Sequence, residues 1–255
     1  TQITGEDNQS DLWIYEVSRD LRTRFTFDSK DDVAASFSPA GDRIAFSSDG
    51  PAYDIYLKDL GGTGERDLLY AADSRKFVSS WTPDGEMVLV QEFLPGEQSR
   101  IVAVPLEGER EAVVLVDAEF FEGDPTVSPD GRWLAYTSLE SGRHEVYVTT
   151  FPQPGRRWQV STEGGRRPKW TRDGKEIVFL NITRDAIMAA DVDPSRETFR
   201  VGPTTRLFDV ALRLTPGRVW DVTPDGERFI INEAPERGRV SALELVTNWP
   251  AILED

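Results

Sequence analysis

Residues 128–137, SPDGRWLAYT, contain the pattern that decides the fold. Proline presets φ at the first corner of a tight turn, aspartate suits the second corner, and glycine adopts the positive φ that closes it. Val127 precedes the motif and a run of β-forming residues follows it, so the stretch predicts a β-hairpin around the turn. In this interpretation Asp130 is a turn residue and not a catalytic carboxylate.

The same four-residue motif occurs four more times, as SPAG at 38–41, TPDG at 82–85, TRDG at 171–174 and TPDG at 223–226. Successive motif glycines are 43 to 52 residues apart. A period of this length is typical of solenoids, propellers and other repeat arrays. Each motif glycine is predicted to lie in a structural turn between two strands: Gly41, Gly85, Gly131, Gly174 and Gly226.

Two further strands complete each repeat. An apolar run begins 13 to 16 residues after each motif glycine, and a fourth run closes most repeats. Four short antiparallel strands, named a to d from the centre outwards, form one blade of a β-propeller. The sequence therefore predicts an all-β, six-bladed β-propeller that occupies residues 1–255 as a single domain. The predicted blades span approximately residues 1–28 (partial), 33–71, 77–117, 124–162, 166–209 and 218–253.

The first repeat is predicted to be incomplete. Residues 12–14 predict a strand c and residues 24–27 a strand d, so residues 1–3 become the end of strand b and strand a is missing. In the alternative interpretation, residues 1–4 form the outer strand of the last blade and close the ring. The spacing between the runs favours the first interpretation.

Residues 128–180 carry a resemblance to a known family, as do the stretch DVTPDGERFIIN and the terminal LELVTNWPAILED. They resemble the TolB-type, WD40-like propeller repeats known as PD40. They are especially similar to the C-terminal propeller of certain bacterial membrane-linked serine/threonine protein kinases. The resemblance covers essentially the whole chain and implies an extracytoplasmic location. Ala40 and Arg172 depart from the motif, but both departures leave the turn glycine in place.

Charge and composition exclude several partners. The chain has 45 acidic and 29 basic residues and a net charge of −16. Such a surface repels nucleic acid, which proteins bind by replacing its counterions with Lys and Arg. No apolar stretch approaches the length that crosses a bilayer. We therefore predict no nucleic-acid partner and no direct membrane insertion by this segment, and we expect a protein or peptide partner.

The residue types needed for common active sites are scarce. His144 is the one histidine, there is no cysteine, and HEVYV at 144–148 fails the HExxH zinc pattern. A GxSxG nucleophile motif and every protein-kinase signature are absent. The sequence therefore predicts no catalytic residue, no metal site and no cofactor.

Two functions from different classes remain open. The favoured one is a non-catalytic binding or sensor module for a protein, peptide or small anionic ligand. It could be the sensor region of a bacterial serine/threonine kinase, with any kinase or peptidase activity outside this chain. The alternative is a propeller enzyme, a lyase or hydrolase with its site at the channel mouth. Fold class by itself does not choose between them, because propellers support many activities.

A candidate binding surface lies on the loops that connect strand d of one blade to strand a of the next. Three of these loops carry net positive charge on an acidic protein, residues 72–77, 161–169 and 209–219, and the last two are predicted to be neighbours around the ring. Arginine binds a carboxylate or phosphate through two parallel hydrogen bonds, and exposed aromatic rings can anchor a ligand. The residues predicted to line the channel mouth and bind an acidic peptide or anionic ligand are Arg166, Arg167, Arg213, Arg218, Phe120 and Phe121.

Overall fold

The structure is a computed structural model of the 255-residue chain. It describes residues 2–4, 9–27, 29–50, 52–61, 64–96, 98–194, 198–210, 219–223, 225–232 and 243–247. These residues form β-strands and one 3-10 turn, Ile182–Arg184, and no α-helix occurs in the ranges just given. The chain divides into two compact units, Thr1–Asp117 and Ala118–Asp255.

The first unit contains three antiparallel sheets. The first sheet comprises β1 (Gln2–Thr4), β2 (Ser10–Glu16) and β3 (Leu21–Arg24). The second comprises β4 (Asp32–Phe37), β5 (Arg43–Ser48), β6 (Asp54–Asp59) and β7 (Asp67–Tyr70). The third comprises β8 (Arg75–Trp81), β9 (Met87–Phe93), β10 (Ser99–Pro105) and β11 (Val113–Asp117).

The second unit also contains three antiparallel sheets. The fourth sheet comprises β12 (Glu122–Val127), β13 (Trp133–Ser138), β14 (Glu145–Thr150) and β15 (Arg157–Gln159). The fifth comprises β16 (Arg166–Trp170), β17 (Glu176–Asn181), β18 (Ala186–Asp193) and β19 (Arg200–Asp209). The described strands of the sixth are β20 (Trp220–Val222), β21 (Arg228–Asn232) and β22 (Leu243–Thr247).

Every sheet runs through its strands in chain order, with antiparallel neighbours. This is the predicted a-to-d order of a propeller blade. Gln2–Thr4 pairs with β2 in the first sheet, with Ile3 opposite Asp11. Within the first sheet it therefore occupies the predicted position of strand b.

Strand d of the first sheet differs from its prediction. It spans Leu21–Arg24 rather than residues 24–27. Phe25 and Phe27 made the later stretch look like a strand, but an outermost strand has no second layer to cover it and tolerates the polar sequence LRTR. Phe25 is buried instead, and its N–H donates to Leu12 O at 2.8 Å.

The five motif glycines all lie in turns between strands a and b, as predicted. Their φ angles range from 68° to 78°, and each N–H donates to the carbonyl three residues earlier at 2.8–2.9 Å. In the fourth sheet, Asp130 Oδ1 accepts from Ser128 Oγ at 2.6 Å and from Arg132 N at 3.2 Å. Ala40 cannot do this, so Ser38 Oγ donates to Asp42 at 2.8 Å.

The innermost strands contain bulges. The pairing register shifts within β4, β8, β12 and β16. In three of them a residue other than glycine has positive φ: Ala34 at 51°, Asp124 at 51° and Arg167 at 55°. Each lies seven residues before its motif glycine. A bulge at this position re-aims the side chain that carries it, and strained backbone of this kind is often found at functional sites.

Tryptophans that recur at repeat positions connect neighbouring sheets inside each unit. Trp81 Nε1 donates to Ser36 O at 3.0 Å in the first unit, and Trp170 Nε1 donates to Thr126 O at 3.3 Å in the second. Between the fourth and fifth sheets, the Phe199 ring lies within 6.0 Å of the rings of Trp133 and Trp170. These contacts are part of a continuous apolar core between the two sheets.

Candidate functional site

Three segments of the second unit meet at one end of the fourth sheet. They are the residues just before β12, the turn between β13 and β14, and the connection from β15 to β16. The rings of Phe121 and His144 are 5.1 Å apart in an edge-to-face arrangement. Backbone hydrogen bonds hold the segments together, from Leu139 N to Phe121 O at 3.1 Å and from Gly165 N to His144 O at 2.9 Å.

Arg166 begins β16 and completes this group, which we call the Phe121 cluster: Phe121, His144 and Arg166. Its Cζ atom lies 5.5 Å from the centroid of the Phe121 ring. Its Nε atom is buried and has no hydrogen-bond partner among the residues that the structure describes. The guanidinium also forms no ion pair within those ranges. The ring face therefore offers the main compensation for its charge, through a cation–π contact.

His144 is held in its neutral form by its surroundings. Burial lowers the pKa of the imidazole, the nearby charge of Arg166 lowers it further, and Asp124 acts in the opposite direction. The Nδ1 atom is buried without a hydrogen-bond partner in the described part of the chain. A neutral imidazole carries one donor and one acceptor nitrogen, so it can bind either kind of group or exchange a proton.

Arg167 is placed differently from its neighbour. Its Nε atom lies 3.9 Å from Asp124 Oδ1. Thr137 Oγ1 links the two, because it donates to Asp124 Oδ2 at 3.0 Å and accepts from Arg167 N at 3.1 Å. The two bulges of β12 and β16 thus bring the carboxylate of Asp124 and the guanidinium of Arg167 together. Arg167 therefore has an acidic partner, whereas Arg166 has none among the described residues.

A buried glutamate fixes the connection that carries Arg166. Glu145 accepts from Arg143 Nε at 2.6 Å and from Gly164 N at 3.0 Å, and Ser161 Oγ also donates to it. At Gly165 a Cβ atom would lie 2.4 Å from Ser161 Oγ. Only glycine fits there, and this close approach sets the path of the chain into Arg166.

The predicted site residues lie in different surroundings. The structure brings Phe121 and Arg166 into contact, leaves Phe120 exposed beside them, and places Arg167 near Asp124. Arg213 and Arg218 lie outside the described residues, so the wider channel-mouth arrangement stays a prediction. Sequence reasoning assigned no role to His144, and its position between Arg143 and Glu145 held no signal that it would meet Phe121.

Apart from the Phe121 cluster, a depression lies between the turns that follow β16 and β20. Its lining is mainly acidic: Thr171, Arg172, Asp173, Glu176, Asp225, Gly226 and Glu227. Asp173 and Asp225 accept hydrogen bonds from the threonines of their own turns. These two acids therefore serve the turns, and the depression has fewer features of a ligand site than the Phe121 cluster.

In the ranges that the structure describes, no three His, Asp or Glu side chains are grouped so that they could hold a metal ion. The same ranges contain no helix with the length and apolar character needed to cross a bilayer.

Comparison with known proteins places these features in context. No protein-family model matches the chain. An uncharacterized peptidase of Bacillus subtilis, YuxL, is 29% identical in an alignment of 194 residues, and the match covers 58% of this chain. The chain spans 29% of the length of that relative.

Solved structures share the fold. TolB from Acinetobacter baumannii matches 94% of this chain and 57% of its own, with a TM-score of 0.71 at 19% identity. A puromycin-hydrolyzing peptidase of Mycobacterium tuberculosis matches 91% of this chain and 41% of its own, with a TM-score of 0.64 at 19% identity. An oligogalacturonate lyase in complex with manganese matches 96% and 70%, with a TM-score of 0.62 at 16% identity. The fold is that of the TolB-type, six-bladed β-propellers, as predicted.

These comparisons correct the predicted function. The sequence relative is named as a peptidase, and the solved structures include a peptidase and a lyase. The prediction of a non-catalytic binding or sensor module, with no enzyme activity, is therefore wrong, and the alternative of a propeller enzyme is better supported. The matches bear out the TolB-type propeller but not the attachment to a kinase, which stays a prediction from resemblance.

Proposed function

We propose that this chain functions in a hydrolase of the peptidase class and that its propeller contributes the surface that holds the peptide. The observation that carries the proposal is the sequence match to the Bacillus subtilis peptidase over 194 residues. The shared fold with the puromycin-hydrolyzing peptidase supports it.

The Phe121 cluster supplies groups that a peptide substrate needs. Arg166 offers hydrogen-bond donors, and His144 offers a donor or an acceptor while it remains neutral. Phe121 provides an apolar wall between them. Holding a substrate in a fixed orientation supplies a large part of the rate enhancement of many enzymes. We therefore expect the cluster to position the peptide for hydrolysis.

Peptide hydrolysis tests this proposal. Aminoacyl p-nitroanilides and a defined peptide mixture are incubated with this chain and with the complete translation product of its gene, and products are followed by absorbance and mass spectrometry. We expect hydrolysis by at least one of the two proteins. If neither cleaves any substrate, the assignment to the peptidase class fails.

A matched pair of variants then tests the role of the cluster. Phe121→Ala is expected to lower kcat/KM by about tenfold, a size typical of a lost aromatic contact with substrate. Phe27→Ala is the control, because Phe27 is a phenylalanine in the other unit that is 69% exposed. Equal effects of the two changes would remove Phe121 from the substrate site.

A second candidate function is a lyase that acts on an acidic sugar. A neutral imidazole beside a guanidinium can remove a proton from the carbon atom that carries a carboxylate, while the arginine binds that carboxylate. The electron pair released then forms a double bond as the neighbouring oxygen leaves. Incubation with oligogalacturonate would reveal the unsaturated product by its ultraviolet absorbance, and constant absorbance would exclude this activity for that substrate.

A further inference from the structure

We propose that Arg166, His144 and Phe121 form a subsite for a carboxylate group carried by a peptide, either an acidic side chain or the chain terminus. The choice of a peptide as the carrier rests on the proposed function. The choice of a carboxylate rests on the chemistry of the three residues themselves.

Arg166 has no acidic partner among the described residues, although the protein is strongly acidic. Several other cations of the second unit have acidic partners. These pairs are Arg143 with Glu145, Arg157 with Glu140, Arg167 with Asp124, Lys169 with Asp221 and Arg184 with Glu163. Arg166 forms no such pair among the described residues. A carboxylate accepts two parallel hydrogen bonds from a guanidinium, so it is the natural partner for this side chain.

Two buried atoms of the Phe121 cluster have no hydrogen bond in the described part of the chain. Arg166 Nε and His144 Nδ1 are both buried and both lack a partner within the described ranges. Buried polar groups almost always have a partner, because leaving them unbonded is costly. Both side chains contact the same phenylalanine ring. One carboxylate can accept from Arg166 through one oxygen and from a His144 Nδ1–H through the other.

Phe121 gives the two polar side chains an apolar environment. Its ring meets the guanidinium and the edge-on imidazole and shields both from water on one side. Charge interactions strengthen where water is excluded. Asp124 would repel a bound carboxylate, but Arg167 lies 3.9 Å from it and opposes that repulsion. The local balance therefore favours an anion although the whole chain carries a charge of −16.

The single histidine makes a direct test possible. With any affinity tag removed, the protein gives one imidazole signal, from His144. Its carbon-bound protons are followed by NMR while three probes are added: acetyl-Ala-Glu-Ala-amide, acetyl-Ala-Gln-Ala-amide and acetyl-Ala-Gln-Ala with a free terminal carboxylate. We expect a probe with a carboxylate to shift the signal and to raise the pKa of His144. The neutral probe should leave both unchanged.

The two acidic probes distinguish the sources of the carboxylate. A shift with the glutamate peptide alone assigns the subsite to acidic side chains, and a shift with the free terminus alone assigns it to chain ends. Equal shifts with all three probes, or no shift at millimolar concentrations, would overturn the proposal in the unmodified protein. No variant is needed for that outcome.

Variants then identify the carboxylate ligand. Arg166→Gln is expected to weaken binding of the acidic probe at least tenfold, whereas Arg166→Lys keeps the charge and should weaken it less. Arg132→Gln is the control with the same change of charge, because Arg132 lies in the turn at the other end of the fourth sheet, where it pairs with Asp130. Unchanged affinity in Arg166→Gln would show that the carboxylate binds elsewhere.

The outcome separates this inference from the proposed function. Carboxylate binding without peptide hydrolysis would refute the peptidase assignment and leave the subsite standing. Hydrolysis without a response of His144 to acidic probes would refute the subsite alone.

Discussion

The second and fourth sheets carry the same polar residue types at matching repeat positions, yet they pair them differently. Each has an acid at the start of strand a, a serine at the end of strand b, a tyrosine on strand c and an arginine where strand d begins. The second sheet has Asp32, Ser48, Tyr56 and Arg66, and the fourth has Glu122, Ser138, Tyr147 and Arg157.

In the second sheet the arginine, Arg66, lies beside the buried acid, Asp32. Arg66 Nη1 donates to Ser48 Oγ at 2.8 Å and lies 3.7 Å from Asp32 Oδ1. Its Cζ atom is 4.5 Å from the centroid of the Tyr56 ring. Asp32 is fully buried, so the charge of Arg66 is its counter-charge in a region that excludes water.

In the fourth sheet the arginine pairs with another acid. Arg157 Nη1 lies 2.9 Å from Glu140 Oε2, while the buried Glu122 accepts from Ser138 Oγ at 3.0 Å. Burial raises the pKa of Glu122 to about 7, against the opposing effects of Ser138 and Arg157. Gly50 stands in the second sheet where Glu140 stands in the fourth. The fourth sheet thus has a second acid beside its arginine, at a position where the second sheet has glycine.

The largest expected effect comes from removing the two arginines. Arg66→Met should lower the free energy of unfolding by about 3 kcal/mol, because it leaves Asp32 buried without its counter-charge. Arg157→Met should cost about 1 kcal/mol or less, since Arg157 is 43% exposed and Glu140 is 35% exposed. Urea denaturation at pH 7, followed by tryptophan fluorescence, measures both. Equal losses would mean that the two networks do not differ in energy.

The raised pKa of Glu122 predicts that a neutral residue at this position stabilises the protein at high pH. In the unfolded chain this carboxyl has a pKa near its ordinary value of 4.5, and in the folded protein about 7. Its favourable contribution is therefore present below pH 4.5 and is lost as the pH rises through 7. Glu122→Gln should be more stable than the natural protein by about 3 kcal/mol at pH 8, with little difference near pH 4.

Asp32→Asn is the matched change in the second sheet. It should destabilise the protein at pH 8, because Arg66 then loses its acid. Denaturation curves recorded from pH 4 to pH 8 test both variants. Parallel pH curves for the natural protein and Glu122→Gln would contradict the assignment of the raised pKa.

A smaller loss of stability is expected from replacing the tryptophans that donate hydrogen bonds to the same two sheets. Trp81→Phe and Trp170→Phe keep most of each ring but remove the bonds to Ser36 O and Thr126 O. Each should lower the free energy of unfolding by about 1 kcal/mol. The loss should be slightly larger for Trp81→Phe, because the hydrogen bond of Trp81 is the shorter one. Thermal melts measure the pair. A loss confined to one variant would show that the two ties are not equivalent.

The smallest expected effect lies in the turns that follow β4 and β12. Ala40→Asp gives the second sheet the aspartate that the other motif turns carry and should raise stability by about 0.5 kcal/mol. The gain is small because Asp42 already bonds Ser38. Asp130→Ala removes bonds to Ser128 and Arg132 and should cost about 1 kcal/mol. Melting temperatures that move in the same direction would contradict the role given to these aspartates.

Much of the fold could be predicted because its causes are local. Three of the five motifs place proline, aspartate and glycine within four residues, and the other two, with Ala40 and Arg172, keep the glycine. These residues determine the turn locally. Alternating and apolar runs on either side of the turn then mark the strands. The prediction was wrong for the outer strand of the first sheet, where the polar stretch Leu21–Arg24 lacks the apolar signal that marked the inner strands.

The candidate site could be predicted only in part. Basic loops and exposed phenylalanines pointed to Phe121 and Arg166, which do meet. The sequence did not distinguish Arg166 from Arg167, although one lacks an acidic partner among the described residues and the other faces Asp124. It also did not reveal His144 as a member of the cluster, because a lone histidine among charged neighbours is typical of a surface position.

The sequence by itself determined the repeat, the turns and the blade-like order of the strands, since these follow from backbone preferences within a few residues. Only the tertiary structure decided which charges meet. His144 lies 23 residues after Phe121 and 22 residues before Arg166 along the chain. Arg157 lies near two acids, of which it pairs with one. Electrostatic interactions depend on distance and on exclusion of water, and both quantities exist only after the sheets have packed.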